Sequence, residues 1–430
     1  MMIDLERIGA DARSASRTLA VLDAAKKNQV LRMAADALDR EENQAAILRG
    51  NAEDLAIADQ NQMPAGLRDR LRLTEERLHA MADAIRDIAS LEDPVGEVLS
   101  ETTRPNGLRL QKVAVPIGVI GIIYEARPNV TSDAWSLCFK TANAVILKGG
   151  SDAIHSNLAI TKVLRSAIEA AGIDPNVLQL IEATDHETTN RFMQMNEYVD
   201  VLIPRGSHRL IQAVVRNASV PVIETGAGNC HIFLDASADV AKAVPIVFNA
   251  KTQRIGVCNA CESLVVDAEV LSTVLVPVIQ KLQEMQVEAY CDAPSLAAVQ
   301  AAAEAGEGID MRLVHPATEE DFTTEYLDYK ISVKTVHSVA EAISHINRCS
   351  TGHSESIITE DAAHAEQFLN GIDSACVYWN ASTRFTDGAE FGMGAEIGIS
   401  TDKLHARGPM GLEELTTYKY AIVGDGTIRQ

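Results

Sequence analysis

The chain has 430 residues, 47% of them hydrophobic and 23% charged, which is the composition of an ordinary globular protein. Its length exceeds what one hydrophobic core supports, so about two or three domains are expected. The formal net charge of −22 argues against binding to nucleic acid or to an anionic membrane surface, since both interactions depend on basic residues. Any site for an anionic ligand must therefore be a local cluster of Arg, Lys and His.

The cellular location is predicted from the N-terminus and the cysteines. The first residues include acids and lack the apolar segment of a signal peptide, and no apolar run reaches the length that spans a membrane. The 7 cysteines lack regular spacing, which favours a reducing compartment over a disulfide framework. We therefore expect a cytoplasmic protein.

The N-terminal part of the chain has the apolar spacing of amphipathic helices. Apolar residues recur at helical intervals between residues 78 and 89, and Thr74 is placed to cap the start of that helix. Similar apolar stripes run through residues 30–38 and 45–55. Residues 63–66 interrupt the helices as a loop.

From about residue 107 the pattern changes to short strands that alternate with helices. Leu108 and Leu110 alternate with polar residues, which predicts a strand or a hairpin arm. Apolar strands are then predicted at residues 119–123, 144–147, 177–181, 199–203, 220–223 and 231–234, with helices at 154–171 and 207–217. Apolar strands that alternate with helices predict a parallel sheet covered on both faces.

A second series of strands and helices follows. Strands are predicted at residues 263–266, 329–336, 356–358 and 375–379, with helices up to about 287, at 339–348 and at 362–369. Residues 385–411 are rich in glycine, which indicates a loop, and residues 418–423 fit a last strand. The whole pattern predicts an α/β protein of two domains with a cleft between them.

The stretch with the most chemical information surrounds Cys258. A predicted helix ends before Gly256 and a predicted strand begins near Ser263, so the thiol lies in a turn. Lys251 and Arg254 are near enough in sequence to lower its pKa by favouring the thiolate. A thiolate suits acyl transfer, because it attacks readily and leaves from a thioester.

Other interpretations of this cysteine stay open. Cys258 fits a small buried hydrophobic residue, which is the commoner role of a free cysteine. With Cys261 it also forms a CxxC pair, which fits a redox motif or half of a zinc site. No second CxxC and no pair of histidines at ligand spacing accompanies it, so no metal is expected.

Three turns rich in small residues each follow a predicted strand, although none of them has the GxGxxG pattern. Their residues are Lys148-Gly149-Gly150-Ser151, Arg205-Gly206-Ser207 and Glu224-Thr225-Gly226-Ala227-Gly228. The carboxyl ends of parallel strands meet at one edge of a sheet, and a helix N-terminus there can receive pyrophosphate. The three turns together predict a nucleotide-binding edge, although each alone fits an ordinary strand-to-helix connection.

Four segments are specific enough to be compared with a known family. They are VPIGVIGIIYEARPNVT at residues 115–131, VILKGG at 145–150, RIGVCNA at 254–260 and HARGPMG at 405–411. With these segments the chain resembles the aldehyde dehydrogenase superfamily over nearly its whole length, and within it the members that reduce an acyl phosphate.

The resemblance implies an aldehyde dehydrogenase-like α/β fold, with two doubly wound α/β domains and a small β oligomerisation hairpin. Residues 1–104 and 117–235 are expected to form the domain that binds the nicotinamide cofactor, and residues 236–400 the catalytic domain. Residues 105–116 and 412–430 are expected to form the oligomerisation arm of a homodimer or homotetramer.

The resemblance also implies the catalytic residues. Cys258 matches the nucleophile, and Asn129 matches the side-chain amide that forms an oxyanion hole with the N–H of the cysteine. The negative charges of an acyl phosphate need cations nearby. The candidates for binding the phosphate and the amino-acid carboxylate are Arg127, Arg254, His405 and Arg407.

For the cofactor, the resemblance assigns Lys148 to the adenosine ribose and Glu325 to the nicotinamide ribose. The other residues expected near the cofactor come from the three turns and are Gly149, Gly150, Ser151, Gly206, Ser207, Glu224 and Gly226. Superfamily members that prefer NAD often carry a Glu where this chain has Ser151, and a serine does not repel a 2′-phosphate. NADPH is therefore the expected cofactor.

The reaction that the resemblance implies is NADPH-dependent reduction of L-glutamyl 5-phosphate to L-glutamate 5-semialdehyde and phosphate through a Cys258 thioester. This is the second step of proline biosynthesis from glutamate. Because the acyl phosphate is unstable, an association with glutamate 5-kinase, which makes it, is a further hypothesis.

Two other functions stay open on the sequence. An enzyme of the same fold can oxidise an aldehyde to an acid with NAD, using Glu224 as the base that activates water. A reductase must instead keep water away from its thioester. A catalytically idle binding or scaffold protein would also keep the fold, but the presence of Cys258, Asn129 and Lys148 together argues against it.

Overall fold

The computed structural model describes residues 3–429, apart from the side chains of Ala65 and His208. The predicted domain ranges begin at residue 1 and end at residue 430, so their outermost residues lie outside the described part. The chain begins with helices, as the apolar spacing predicts: α1 Leu5–Leu19, α2 Ala24–Leu38, α3 Glu41–Gln60, α4 Ala65–Leu71 and α5 Glu75–Ser90. Thr74 caps α5 as predicted, because its side chain accepts a hydrogen bond from the N–H of Arg77.

Strands and helices then alternate to the C-terminus. The strands are β1 Val98–Thr103, β2 Arg109–Pro116, β3 Val119–Tyr124, β4 Ala144–Gly149, β5 Leu178–Leu180, β6 Val201–Arg205, β7 Cys230–Leu234, β8 Cys261–Asp267, β9 Glu288–Cys291, β10 Val314–Pro316, β11 Lys330–Val336, β12 Ser354–Ile358, β13 Cys376–Trp379, β14 Ile399–Ser400, β15 Gly408–Pro409 and β16 Thr416–Val423. The helices are α6 Val130–Lys140, α7 Ile154–Ala170, α8 His186–Phe192, α9 His208–Asn217, α10 Val240–Thr252, α11 Val276–Gln283, α12 Ala293–Glu304, α13 Val339–Cys349 and α14 Ala362–Gly371.

The first parallel sheet has the strand order β5-β4-β3-β6 and is covered by helices on both faces. Alternate residues of β3 belong to different cores because successive side chains of a strand point to opposite faces. Ile120 and Ile122 pack in the core that contains residues of α2, α5, α6 and α7. Val119 and Ile123 pack in the core that contains residues of α1 and α9. This is the doubly wound arrangement that the apolar strands predict.

The second parallel sheet has the order β10-β9-β11-β8-β7-β12-β13. One face packs on α10, α11 and α12, through residues such as Leu264 of β8. The opposite face packs on α13 and α14, through residues such as Val265. The predicted α/β class with two doubly wound units is therefore confirmed.

The third sheet is small and antiparallel, with the order β1-β2-β16. Strand β16 pairs along the whole of β2, from Thr416 opposite Pro116 to Val423 opposite Arg109. This third sheet also includes β1, which begins at Val98, before the predicted start of the oligomerisation arm at residue 105. No helix in the described range is both long and apolar enough to cross a bilayer.

The structure differs from the predicted elements in several places. Residues 220–223 do not form a strand, because Val222 makes only an isolated parallel bridge to Leu202. Pro221 lacks the N–H that a longer ladder requires. Strand β7 lies in the second sheet, paired with β8 and β12, although the predicted range 117–235 places it with the first. The predicted loop at 63–66 is shorter, since α4 already begins at Ala65.

Regular structure also occurs where the apolar patterns did not predict it. Residues 287–328 include β9, α12 and β10. Helix α6 was not predicted, because every residue in it except Asp133 is buried. A helix that is covered on all sides has no polar face, and the helical period then disappears from the sequence.

Candidate active site

The candidate nucleophile lies between α10 and β8, at the helix-to-strand junction that the sequence predicts. The thiol of Cys258 is half-buried, whereas the other cysteines of the chain are buried, and all are free thiols. Its carbonyl oxygen accepts a hydrogen bond from the thiol of Cys230 at 3.2 Å. A Cβ on Gly228 would lie 1.4 Å from the same oxygen, so only glycine fits beside Cys258.

The protonation of Cys258 is set mainly by burial. Burial raises the pKa of the thiol to about 11, the guanidinium of Arg205 opposes this shift, and the carboxylates of Glu396 and Glu325 add to it. The predicted lowering of this pKa by Lys251 and Arg254 is wrong, since the pKa is raised. Lys251 is instead bound to a buried carboxylate, and Arg205 is the cation that most favours the thiolate.

That carboxylate belongs to Glu262. The Lys251 Nζ lies 2.6 Å from Glu262 Oε2, and both side chains are fully buried. Burial nevertheless raises the pKa of Glu262 to about 7. The other oxygen of Glu262 accepts a hydrogen bond from the N–H of Leu327 at 3.3 Å. The pair therefore fixes the segment that carries Glu325.

A cavity of about 720 Å³ opens beside residues 253–257 of the loop that carries Cys258. Its walls come from α4, α5, the start of α6, and Gly256 and Val257 of the loop. Guanidinium groups dominate the polar part of the lining: Arg70, Arg72, Arg77, Arg127 and Arg254. In a chain whose formal net charge is −22, this is the local basic cluster that an anionic ligand requires.

Arg127 lies at the centre of this cluster. Burial lowers its pKa to about 10, and the neighbouring guanidinium groups of Arg205, Arg70 and Arg254 lower it too, while Cys258 raises it. Arg70 also donates a hydrogen bond to the carbonyl of Gly256 at 3.2 Å. An anion in the cavity would relieve the mutual repulsion of these arginines.

Asn129 lines the same cavity at the N-terminal end of α6. Its Nδ2 donates a hydrogen bond to Asp133 Oδ2 at 2.8 Å. An ionised carboxylate only accepts hydrogen bonds, so the amide nitrogen of Asn129, and not its oxygen, points toward Asp133. The second N–H of the amide is available to a ligand's oxygen.

The structure does not bring all predicted substrate-binding residues together. Arg127 and Arg254 line the cavity, but His405 and Arg407 are not among its lining residues. His405 Nε2 lies 2.9 Å from the carbonyl oxygen of Glu414. Arg407 forms an ion pair with Asp373 at 2.9 Å. A contact of these two residues with substrate stays a prediction.

Two of the three predicted turns lie at the carboxyl ends of β4 and β6, the strands on either side of β3, and the third follows the isolated bridge at Val222. Lys148 is buried near the end of β4, and its Nζ donates a hydrogen bond to the carbonyl of Gly149 at 3.0 Å. Burial lowers the pKa of Lys148. Gly150 donates its N–H to the carbonyl of Tyr124 at 2.8 Å, and Ser151 begins the short turn before α7.

The second turn already holds an anion of the chain itself. Ser207 caps α9, and its N–H and hydroxyl donate to the two carboxylate oxygens of Glu125 at 2.8 and 3.2 Å. A Cβ on Gly206 would lie 2.6 Å from Glu125 Oε2. The N-terminus of α9 therefore accepts a carboxylate, as expected of a helix N-terminus that binds anions.

Of the remaining predicted cofactor residues, Glu224 and Gly226 follow the bridge at Val222, and Glu325 precedes β11. The N–H of Glu224 donates to Asp402 at 2.8 Å, and its carboxylate accepts from Gln212 at 3.1 Å. A Cβ on Gly226 would lie 2.5 Å from Thr401. Glu325 Oε1 accepts a hydrogen bond from the N–H of Gly228 at 2.7 Å, and Gly228 lies against the carbonyl of Cys258.

Sequence reasoning missed four residues near the nucleophile as candidates. They are Arg70, Asp133, Arg205 and Glu396. Arg205 stands in the turn Arg205-Gly206-Ser207, which the sequence marks, and Asp133 is one helical turn after Asn129. Arg70 and Glu396 carry no local signal, because their segments are far from Cys258 in sequence.

The sequence and the fold have counterparts among known proteins. The family model described as "Aldehyde dehydrogenase family" matches residues 3–306 and 331–420. A gamma-glutamyl phosphate reductase from Agathobacter rectalis is 55% identical over 429 residues, covering 100% of both proteins. Another from Lactiplantibacillus plantarum is 52% identical over 428 residues, again covering 100% of both. The crystal structure of a gamma-glutamyl phosphate reductase from Thermotoga maritima has a TM-score of 0.95 at 44% identity and covers 100% of each chain.

Proposed function

Since the chain belongs to the aldehyde dehydrogenase family, we propose that it reduces L-glutamyl 5-phosphate to L-glutamate 5-semialdehyde and phosphate through a thioester on Cys258. The observation that carries this proposal is the basic cavity beside a half-buried thiol in an otherwise acidic protein. An acyl phosphate brings both an electrophilic carbon for a thiolate and negative charge for guanidinium groups. The high identity to gamma-glutamyl phosphate reductases over the full length supports the same substrate.

The first chemical step uses the thiolate of Cys258. It attacks the 5-carbonyl carbon of the substrate, and the carbonyl oxygen becomes an oxyanion. Asn129 Nδ2 and the N–H of Cys258 donate to that oxygen, which is where charge develops. The carbon–oxygen bond to phosphate then breaks, and inorganic phosphate leaves with the bonding electrons.

The arginines assist this departure. Arg127 and Arg254 line the cavity, and Arg70 is held against the carbonyl of Gly256 beside them. Guanidinium groups stabilise the growing negative charge of a leaving phosphate without a proton transfer. Arg205 favours the thiolate that begins the step.

The donor groups at the strand ends fit a nicotinamide dinucleotide. The Lys148 ammonium carries three N–H donors and gives one to Gly149, so it can also bind ribose hydroxyls. The N-terminus of α9 already binds a carboxylate, and a pyrophosphate there would replace Glu125. Glu325 keeps a second carboxylate oxygen for the nicotinamide ribose. When bound, the cofactor supplies the hydride that reduces the acyl group.

Members of this family use nicotinamide cofactors, and NADPH is the proposed one here. Ser151 follows Gly149, the last residue of β4, and Gly150, and it begins the turn before α7. A serine at this position accepts a 2′-phosphate, whereas a carboxylate would repel it. The preference for NADPH is therefore supported by Ser151, a small neutral side chain at the position where a carboxylate would favour NAD.

The reverse reaction tests the function directly. On mixing the protein with NADP and L-glutamate 5-semialdehyde, absorbance of the reduced nicotinamide is expected to rise only when phosphate is present, because phosphate must attack the thioester. The rate with NAD is expected to be lower than with NADP. Reduction without phosphate would support the hydrolytic dehydrogenase that uses Glu224, and no reduction with either cofactor would contradict the proposed reaction.

The homo-oligomer is proposed from the small antiparallel sheet. Tyr420 is 59% exposed and Ile422 is 58% exposed on β16, which is an edge strand. An exposed apolar edge strand favours pairing with another chain. Replacing Tyr420 and Ile422 with aspartate is expected to convert a dimer or tetramer into single chains, measured by light scattering. A wild-type protein with the mass of one chain would contradict the proposal.

Two further proposals concern the surroundings of the enzyme. Free thiols throughout the chain fit the reducing cytoplasm. The chemistry of a labile acyl phosphate supports an association with glutamate 5-kinase, because a short diffusion path limits hydrolysis. Failure of the two proteins to associate in a pull-down, with unchanged coupled flux on dilution, would contradict this association.

A further inference from the structure

Asp133 is an anion in a cavity dominated by arginines. Among the described residues that line this cavity, the carboxylates are Asp69 and Asp133. Asp69 is neutralised by Arg77, whose Nη2 lies 2.9 Å from its Oδ1. Asp133 differs from it, because its side chain accepts hydrogen bonds from two neutral groups, the amide of Asn129 at 2.8 Å and the hydroxyl of Ser132 at 3.2 Å.

Among the described residues, the side-chain hydrogen-bond partners of Asp133 are neutral, whereas a desolvated anion is usually accompanied by a close cation. Burial raises the pKa of Asp133 to about 6, and the hydrogen bonds from Asn129 and Ser132 and the more distant charge of Arg205 only partly oppose this shift. A cation supplied by a ligand would therefore be stabilised strongly at this point of the cavity.

We propose that Asp133 binds the α-ammonium group of the substrate and makes the enzyme selective for acyl phosphates of α-amino acids. This inference rests on the proposed function and names the group that distinguishes its substrate from other acyl phosphates. The cavity then matches each charge of the substrate. Arg70, Arg127 and Arg254 face the phosphate and the α-carboxylate, and Asp133 faces the ammonium.

The spacing along α6 supports this assignment. Asn129 and Asp133 are four residues apart, on one face of the helix entrance, and their Nδ2 and Oδ2 atoms are 2.8 Å apart. The oxyanion binds to Asn129, so an ammonium on Asp133 lies a short distance further along the substrate. In a glutamyl chain, three carbons separate the reacting carboxyl carbon from the nitrogen. This span is of the same order as the separation between the Asn129 amide and the Asp133 carboxylate.

Asp133 also orients the amide of Asn129, and this alternative role makes a different prediction. A residue that only positions the oxyanion hole affects every acyl substrate by the same factor. A residue that binds the ammonium affects only substrates that carry one. The two roles are therefore separated by comparing two aldehydes that differ in the amino group.

The test is the reverse reaction of Asp133→Asn with L-glutamate 5-semialdehyde and with 5-oxopentanoate, the same chain without its amino group. The kcat/KM for the amino substrate is expected to fall about 30-fold or more beyond any fall for 5-oxopentanoate, because an ammonium loses its carboxylate partner. Equal losses for both aldehydes would overturn the proposal, and so would a wild-type enzyme without preference between them.

Asp69→Asn is the matched control, since it removes the other carboxylate of the lining, which is already paired with Arg77. It is expected to leave the ratio of the two kcat/KM values unchanged. If Asp133→Asn does not fold, as judged by thermal unfolding, Asp133→Ser replaces it. A collapse of the ratio in Asp69→Asn of the same size would also overturn the proposal.

A second measurement does not depend on turnover. L-glutamate and glutarate are compared as protectants of Cys258 against iodoacetamide. L-glutamate is expected to protect at lower concentration than glutarate in the wild type, and this advantage disappears in Asp133→Asn. Equal protection by the two acids in the wild type would contradict the ammonium site, even where the phosphate-dependent reaction is observed. Lack of that reaction would instead contradict the proposed function.

Discussion

Replacing Cys258 with alanine is expected to lower kcat for the phosphate-dependent reduction of NADP by about 10⁴-fold or more, because removal of a nucleophile leaves only binding and electrostatic stabilisation. The loss is measured with saturating L-glutamate 5-semialdehyde and phosphate. The effect is large because the side chain forms the bond that splits the reaction into two steps. Retention of the wild-type rate would contradict the thioester mechanism.

Cys261→Ser is the control for this experiment. Cys261 is buried three positions later, and its thiol makes a hydrogen bond to the carbonyl of Ser263 that a hydroxyl can also make. Its substitution is expected to leave a measurable phosphate-dependent reaction. Loss of activity in both variants would indicate a redox or structural role for the CxxC pair instead.

The same thiol is expected to show a distinct pH dependence of alkylation. Burial raises the pKa of Cys258 to about 11, so the thiolate fraction is small at pH 7 and grows about tenfold per pH unit up to the pKa. Labelling of the unliganded enzyme by iodoacetamide is expected to follow this slope. Arg205→Gln is expected to slow labelling at pH 8, since Arg205 favours the thiolate. A plateau already at pH 7 would contradict the raised pKa.

Replacing Gly228 with alanine is expected to lower kcat/KM by at least about 100-fold, because the nucleophile must move. The new Cβ would lie 1.4 Å from the carbonyl oxygen of Cys258, and the obstacle is backbone, which has no rotamer to escape into. The N–H of Gly228 also holds Glu325 at 2.7 Å. A shift of Gly228 or Cys258 therefore disturbs both the thiol and the carboxylate of Glu325.

Stability separates this effect from a general intolerance of glycine substitutions. Gly228→Ala is expected to lose about 1–3 kcal/mol of unfolding free energy, measured by denaturant titration. Gly66→Ala is the control, because nothing lies within 4 Å of its Cβ and alanine favours the helix α4. Wild-type activity in Gly228→Ala would show that the loop near Cys258 has a different path.

Much of the fold is predictable from the sequence, because many of its helices have one exposed face and its strands alternate regularly with helices. Helix α5 keeps its apolar stripe and its Thr74 cap, and both appear in the sequence. The apolar strands of the two sheets alternate with helices at regular intervals, which indicates the parallel topology. Helix α6 was missed because it is covered on almost every side. The strand at 220–223 was predicted wrongly, since apolar residues alone do not form a ladder beside Pro221.

The candidate site also has features that the sequence predicts and features that it does not. Cys258, Asn129, Lys148 and the three turns are visible because each stands in a local motif. Which charges act on the thiol is not local information. Lys251 is close to Cys258 in sequence but forms a buried ion pair with Glu262. Arg205, at the end of β6, instead favours the thiolate of Cys258.

The α/β class, the position of Cys258 in a turn and the family resemblance are readable in the sequence, because they depend on short-range patterns of side chains. That Arg70, Arg127 and Arg254 share one cavity with Asp133 follows only from the packing of the chain. The same holds for the pKa of Cys258, on which burial acts more strongly than any neighbouring charge. Electrostatic interactions depend on distance and desolvation in space, and chain packing brings together groups that the sequence keeps far apart.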